Sequence, residues 1–398
     1  MKVKTILNDL ITEVTPSMHK VRRKSLNALV TSLISGADLC VTSLGRNIDS
    51  QTTEKHQIKR STRLLSNHHL HGEIMTIYSK LAQRLIAGQK RPVILVDWSD
   101  LDPRKHHFLI RAAVAVEGRS LTLIEEIHPI STKEKPAVHK LFMERLKTIL
   151  PAGCRPIIVT DAGFRVPWFE MIKSLNWDFV GRVRNKTFCM NDTDDDWYPV
   201  KDLYEKATTN AKYLGTYQMS RRNPLECNMV VIKRKKQGRK DLIATGTQRR
   251  KSKQSRSNAS REKEPWLLAT SLSSKNGSQV AKKVVKIYQS RMQIEESFRD
   301  LKTGLNFNGS NTRQQRRLDV LLLIAIIAQF VLFLLGMTVK QQGYHRRYQA
   351  NSIKDRAVLS YQFIGLRAFK DQYLKLKKID FEHGFNFIQH LIREHSYV

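Results

Sequence analysis

RPVILVD, residues 91–97, is a short apolar run that ends in an acid, and RPIIVTD, residues 155–161, repeats the pattern. Each is rich in β-branched residues, too short for a helix, and bounded by Pro and Asp. That pattern predicts a buried strand. Between them, HHFLIRAAVAVEG (106–118) and SLTLIEEIHPI (120–130) read as an antiparallel hairpin turning around Glu117-Gly118. KPAVHKLFMERLKTIL (135–150) has helical periodicity and stops near Pro151-Ala152-Gly153. After the second run come a helix, VPWFEMIKSLN (166–176), and a strand, DFVGRVR (178–184). The order strand, strand, strand, helix, strand, helix, strand predicts a mixed α/β fold with an antiparallel edge.

A carboxylate at the C-terminal end of a strand lies at the mouth of a sheet, where ligands bind. Asp97 and Asp161 both hold that place. Hard divalent cations take oxygen ligands, and phosphodiester cleavage suits two of them about 3.5–4 Å apart. Asp100 and Asp102 are rivals to Asp97. Asp97 is preferred because it directly ends the apolar run, which places the other two in the following turn. One strand-end Asp alone is a common turn former; two in this order point to a site.

The third carboxylate is sought in VVKIYQSRMQIEESFRDLK (284–302), part of a long helix expected over Val280 to Leu301. At about 100° per residue, Tyr288, Arg291, Glu295 and Lys302 share one face, and Ile287, Ile294, Phe298 and Leu301 an adjacent one. Glu296 is turned about 100° away from Glu295. The phase therefore selects Glu295, with Arg291 as a phosphate fork and Lys302 as a point charge. Against this stands the ordinary reading of Arg291–Glu295 as an exposed i,i+4 pair.

The bulk composition agrees with a polyanionic partner. The 398 residues hold 69 Lys and Arg against 36 acids, a formal net charge of +33. Mixed-charge solvation does not need that excess, and nucleic acid explains it best. Residues 233–263 contain 13 Lys or Arg and two acids without apolar periodicity, which reads as a mobile basic arm that contacts phosphates. In the N-terminal region, a turn at Thr42–Gly45 precedes a segment bearing Lys55, Lys59, Arg60 and Arg63, a helix-turn-helix-like pattern. Four scattered cysteines form no zinc spacing and read as reduced thiols. Acids within the first apolar stretch argue against a signal peptide. The run VLLLIAIIAQFVLFLLGMTV (320–339) is long enough to span a bilayer. Gln329 within it, basic flanks on both sides and no second span favour a buried core helix instead.

The spacing Y-x2-R-x3-E-x6-K, formed by Tyr288, Arg291, Glu295 and Lys302, resembles the signature of bacterial insertion-sequence-four transposases of the DDE group. VDWSD (96–100), VTDAGF (159–164) and RMQIEESFRDLK (291–302) look most like the Tn-ten branch, and the resemblance covers nearly the whole chain. It implies a ribonuclease-H-like catalytic domain at 89–315, interrupted by a β-rich basic insertion at about 186–275. A helical DNA-binding domain at 1–88 would precede it, and a helical region for dimerisation at 316–398 would follow. By this resemblance Asp97, Asp161 and Glu295 hold Mg²⁺ (Mn²⁺ as a substitute), and Tyr288, Arg291 and Lys302 bind DNA phosphates. The partners are double-stranded DNA, as inverted-repeat ends and target, and a second copy in a synaptic homodimer. No membrane is involved; the place of action is the bacterial cytoplasm, at the nucleoid. The reaction is cut-and-paste transposition through nicking, hairpin formation, hairpin opening and strand transfer. Trp266, in EPWLLAT, is 29 residues before Glu295. There a Trp stacks on a flipped base in related transposases, and the alternative for Trp266 is a core residue of a buried strand. Two other functions fit the residues: a metal-dependent nuclease without strand transfer, and a basic DNA-binding protein without catalysis.

Overall fold

A computed structural model describes residues 3–102, 105–184, 187–191, 196–234, 264–350, 352–353 and 358–396. The helices α1 (Val3–Val14), α2 (Lys20–Ile34), α3 (Val41–Arg46), α4 (Glu54–Leu65) and α5 (His68–Ile86) come first. Then follow β1 (Val93–Asp100), β2 (His107–Ala115), β3 (Ser120–Pro129), α6 (Pro136–Ile149), β4 (Ile157–Thr160), α7 (Val166–Ser174) and β5 (Asp178–Val183). The strands β6 (Phe188–Asn191), β7 (Tyr198–Pro199), β8 (Lys212–Met219), β9 (Leu225–Ile232) and β10 (Trp266–Thr270) precede α8 (Gly277–Gln289) and α9 (Met292–Arg299). The chain ends with α10 (Gln315–Gln341), α11 (Tyr361–Lys370) and α12 (Lys378–His395). The fold is mixed α/β, as the element order predicts. Most of the basic segment 233–263 lies outside the described residues, which stop at Arg234 and resume at Glu264.

The chain forms two compact units. The first comprises residues 1–154 and 292–396, and the second residues 155–291. In the first unit the strands lie in the order β3-β2-β1, all antiparallel. The β2–β3 hairpin turns where expected: Gly118 takes φ +68°, and the Val116 amide donates to the Arg119 carbonyl. The helix α6 starts on Pro136, whose missing N–H costs nothing there. It buries Phe142, Met143, Leu146 and Ile149 at helical spacing.

The apolar helix α10 is the core of this unit. Its 20 buried residues include every position from Val320 to Val339 except Gln329. Small residues permit this burial. A Cβ on Gly336 would collide with the carbonyl of Tyr361 in α11, and one on Gly365 with the carbonyl of Leu332. The length and apolarity that suggest a membrane span are thus matched by a helix whose apolar window is 94% buried within the protein.

In the second unit the strand order is β4-β5-β10-β9-β8-β6-β7. β4 and β5 pair in parallel, joined through α7, and the remaining pairs are antiparallel.

Three expectations need correction. The first apolar strand does not end at Asp97. It continues to Asp100, because Trp98, Ser99 and Asp100 stay in register with Ile110, Leu109 and Phe108 of β2. The Thr42–Gly45 stretch is not a turn but part of α3, which is capped by the Cys40 side chain. Gly45 serves close packing there: its bare Cα lets α4 approach, and a Cβ would lie 2.7 Å from the Ile58 Cα. The long helix over 280–301 is two helices, broken at Ser290–Arg291, with a π-helical turn over Asp300–Gly304. A phase of 100° per residue therefore does not carry from Tyr288 to Lys302.

Candidate active site

In the first unit, Asp97 lies mid-strand on β1 opposite Arg111, and Arg111 lies opposite Glu125 on β3. Residues directly opposite in antiparallel strands point to one face. Asp97, Arg111 and Glu125 thus form a charged row across three strands. Trp98 points to the other face, where its indole N–H donates to His139 Nε2 at 3.0 Å. Arg111 and Glu125 are both buried and share a 2.6 Å ion pair. The guanidinium of Arg111 lies 4.7 Å above the Phe298 ring of α9. That contact lays α9, the helix of Glu295, against the face that carries Asp97.

The two rivals of Asp97 differ. Asp102 is engaged in its turn, accepting from the amides of His106 and His107. Asp100 is exposed at the end of β1 and points to the Trp98 face by strand alternation. Asp97 is half-buried, and its Oδ1 accepts from the Trp98 amide at 2.8 Å. Asp97 thus stands on the Arg111–Glu125 face in mid-strand, not at the end of the strand where the sequence put it.

Glu295 is exposed in the first turn of α9. Glu296 is half-buried and engaged: Arg299 pairs with it at 2.7 Å and Arg119 at 3.4 Å. Lys302 lies in the π-helical turn, where burial pulls its ammonium down. Asp100 and Asp97 act on it in the opposite direction, and Arg111 adds to the depression. Lys302 therefore shares an electrostatic neighbourhood with both Asp100 and Asp97, and Asp100 acts on it more strongly.

The second unit holds Asp161, Tyr288, Arg291 and Trp266. Asp161 follows β4 directly, and its Oδ1 accepts from the Gly163 amide at 2.8 Å. The turn is tight: a Cβ on Gly163 would lie 3.0 Å from that same oxygen. Tyr288 is buried near the end of α8. Burial pushes its phenol up, Arg291 and Arg182 pull it down, and Asp161 adds to the rise. Trp266 opens β10 and is only half-buried, unlike the rest of that strand. The Tyr288 ring meets it edge-on at 4.8 Å, and the Arg234 guanidinium lies 4.6 Å over its face. It is neither a plain core residue nor a bare platform.

Asp97, Glu295 and Lys302 thus belong to one unit, and Asp161, Tyr288, Arg291 and Trp266 to the other. Among the described residues no three His, Cys, Asp or Glu side chains are gathered closely enough to hold a metal ion. Sequence reasoning missed the Arg111–Glu125 pair. The signal was a single Arg inside the apolar run FLIRAAVAV and two adjacent acids in SLTLIEEI, one of which must face inward when strands alternate.

A family model described as a transposase DDE domain matches residues 88–331, more than half of the chain. No curated protein matches the sequence.

Proposed function

The chain belongs to the transposase DDE domain family, and from that premise we propose that it is a cut-and-paste transposase of the insertion-sequence-four type. In this reading its catalytic fold is ribonuclease-H-like, and it acts on inverted-repeat ends as a homodimer. The observation that carries the site assignment is the row Asp97–Arg111–Glu125 against α9, because it places Asp97 on the face that Glu295's helix covers. Asp161 is the partner carboxylate from the second unit, held in a tight turn by Gly163.

Asp97, Asp161 and Glu295 supply only oxygen donors, the ligand type that Mg²⁺ or Mn²⁺ takes. Bound there, a divalent ion would supply an activated oxygen nucleophile and stabilise the leaving oxygen. The chain's own cations place the DNA. Arg291 offers a planar fork to one phosphate, and Lys302 a point charge within the electrostatic reach of Asp100 and Asp97. The raised phenol of Tyr288 remains protonated at neutral pH and suits a hydrogen-bond donor, not a nucleophile. Trp266 would stack on an unpaired base once Arg234 leaves its face. In the N-terminal helices, Lys55, Lys59 and Arg63 form an exposed i,i+4,i+8 stripe on α4, suited to a phosphate backbone.

The test uses DNA that carries the inverted repeats flanking the coding region, incubated with Mg²⁺. Asp97→Ala, Asp161→Ala and Glu295→Ala should each abolish cleavage and retain binding. Glu296→Gln should cleave normally, because it loses only partly exposed ion pairs. Full cleavage by any of the three alanine variants overturns the assignment. Cleavage by the unaltered protein without joining of the 3′ end to target DNA would instead identify a nuclease.

A further inference from the structure

A second feature of the 155–291 unit is unaccounted for by the carboxylates. A cleft of about 800 Å³ extends from Asp161 to the turn between β8 and β9. Its lining combines two chemistries. Four arginines, Arg165, Arg182, Arg184 and Arg221, face one acid, Asp161. Phe164, Phe169, Phe188 and Met219 supply apolar surface between them. A plain basic surface does not need an aromatic floor, and an apolar ligand does not need four guanidiniums.

The arginines are oriented. Arg182 donates through Nη2 to the Pro265 carbonyl at 3.3 Å, and Arg184 pairs with Glu264 at 3.4 Å. At the far end the Arg221 guanidinium lies 3.9 Å over the Phe188 ring, and its Nη2 donates to the Trp197 carbonyl at 3.1 Å. The result is a two-layer platform, a guanidinium plane on a phenyl ring. Bases stack on such planes, and each stacked base contributes about 1–3 kcal/mol. A duplex hides the faces of its bases and offers only their edges. The platform therefore suits an unstacked base and the deeper arginines its phosphates.

We propose that this cleft binds single-stranded DNA, with a base on the Arg221–Phe188 platform and the adjoining phosphates on Arg182 and Arg184. The proposal rests on the reading that the chain acts on DNA, but on neither the three carboxylates nor Trp266. An unpaired strand is what a transposase handles when an end is opened, and the cleft's contact with Asp161 places that strand next to one proposed catalytic acid.

The test is fluorescence anisotropy with the full chain in EDTA, where no cleavage competes. One probe is a labelled thymidine oligonucleotide of about ten residues, within the usual site size for single strands. The other is a mixed-sequence duplex. Phe188→Leu keeps apolar volume but removes the ring, and Arg221→Lys keeps the charge but removes the plane. Each should weaken oligonucleotide binding by about 5- to 150-fold, the range one lost stack predicts, and leave duplex binding within about twofold. Equal losses for both probes would mark a general basic surface and overturn the proposal. Unchanged oligonucleotide binding in both variants would do the same, and wild-type behaviour of Arg221→Lys alone would overturn the platform. Circular dichroism of each variant confirms folding. Because no cleavage is measured, this outcome is independent of the Asp97, Asp161 and Glu295 assignment.

Discussion

Glu125→Gln is expected to be among the most damaging single changes in the protein, although it alters no proposed catalytic group. Among the described residues Arg111 is the largest fully buried side chain, and Glu125 is 5% exposed. Both Nε and Nη2 of Arg111 approach one oxygen of Glu125, at 2.7 and 2.6 Å. Burial pushes the Glu125 carboxyl up, and the Arg111 cation pulls it down, so the pair stands only while both members are present. Removing one charge leaves the other buried and uncompensated, which costs about 3–5 kcal/mol. Against a typical total stability of about 5–15 kcal/mol, that is a large fraction. Replacing both members, as Arg111→Met with Glu125→Leu, removes the uncompensated charge and should be near neutral or stabilising by about 1–4 kcal/mol. Urea unfolding of the three proteins measures the difference through the midpoint at constant slope. A loss below about 1 kcal/mol for Glu125→Gln, or a double variant as unstable as the single one, would refute the argument that desolvation dominates this pair.

Two further outcomes follow from packing and charge. Asp319 on α10 is pushed up from 3.8 to about 6, by burial first and then by Glu126, with His128 opposing and Tyr78 also nearby. A raised carboxyl contributes stability below its unfolded pKa, and that contribution is lost as pH rises through about 6. Asp319→Asn should therefore gain on the order of 1–3 kcal/mol over the parent at pH 8, with the gain vanishing towards pH 4; thermal unfolding across that range checks it, and a constant difference would count against it. Gly336→Ala forces a methyl into the Tyr361 carbonyl, so it should cost about 1–3 kcal/mol as an overpacking change, whereas an unaltered melting temperature would show that α11 yields easily.

Much of the local structure was legible in the sequence. The antiparallel hairpin at 106–130, the amphipathic α6 and the strand-helix-strand run from Ile157 to Val183 follow from apolar runs, helical period and turn residues, which act over a few positions. Glu295 and Glu296 both lie within the short helix α9, so the 100° between them holds, but the face that Glu295 was to share with Tyr288, Arg291 and Lys302 does not survive the break and the π-helical turn. Beyond such lengths, neighbours decide. β1 runs on to Asp100 because β2 supplies partners for polar residues that the apolar run alone does not explain. Ser290–Arg291 breaks a helix whose two halves pack in different units, a demand that periodicity does not register. For Trp266 the sequence left a base-stacking platform and a buried strand residue both open; it is half-exposed beneath Arg234, a contact across 32 positions of chain. The Arg111–Glu125 pair is the clearest case. Sequence names one arginine in β2 and two adjacent acids in β3, and only the register that sets Arg111 opposite Glu125, under Phe298, makes their burial tolerable.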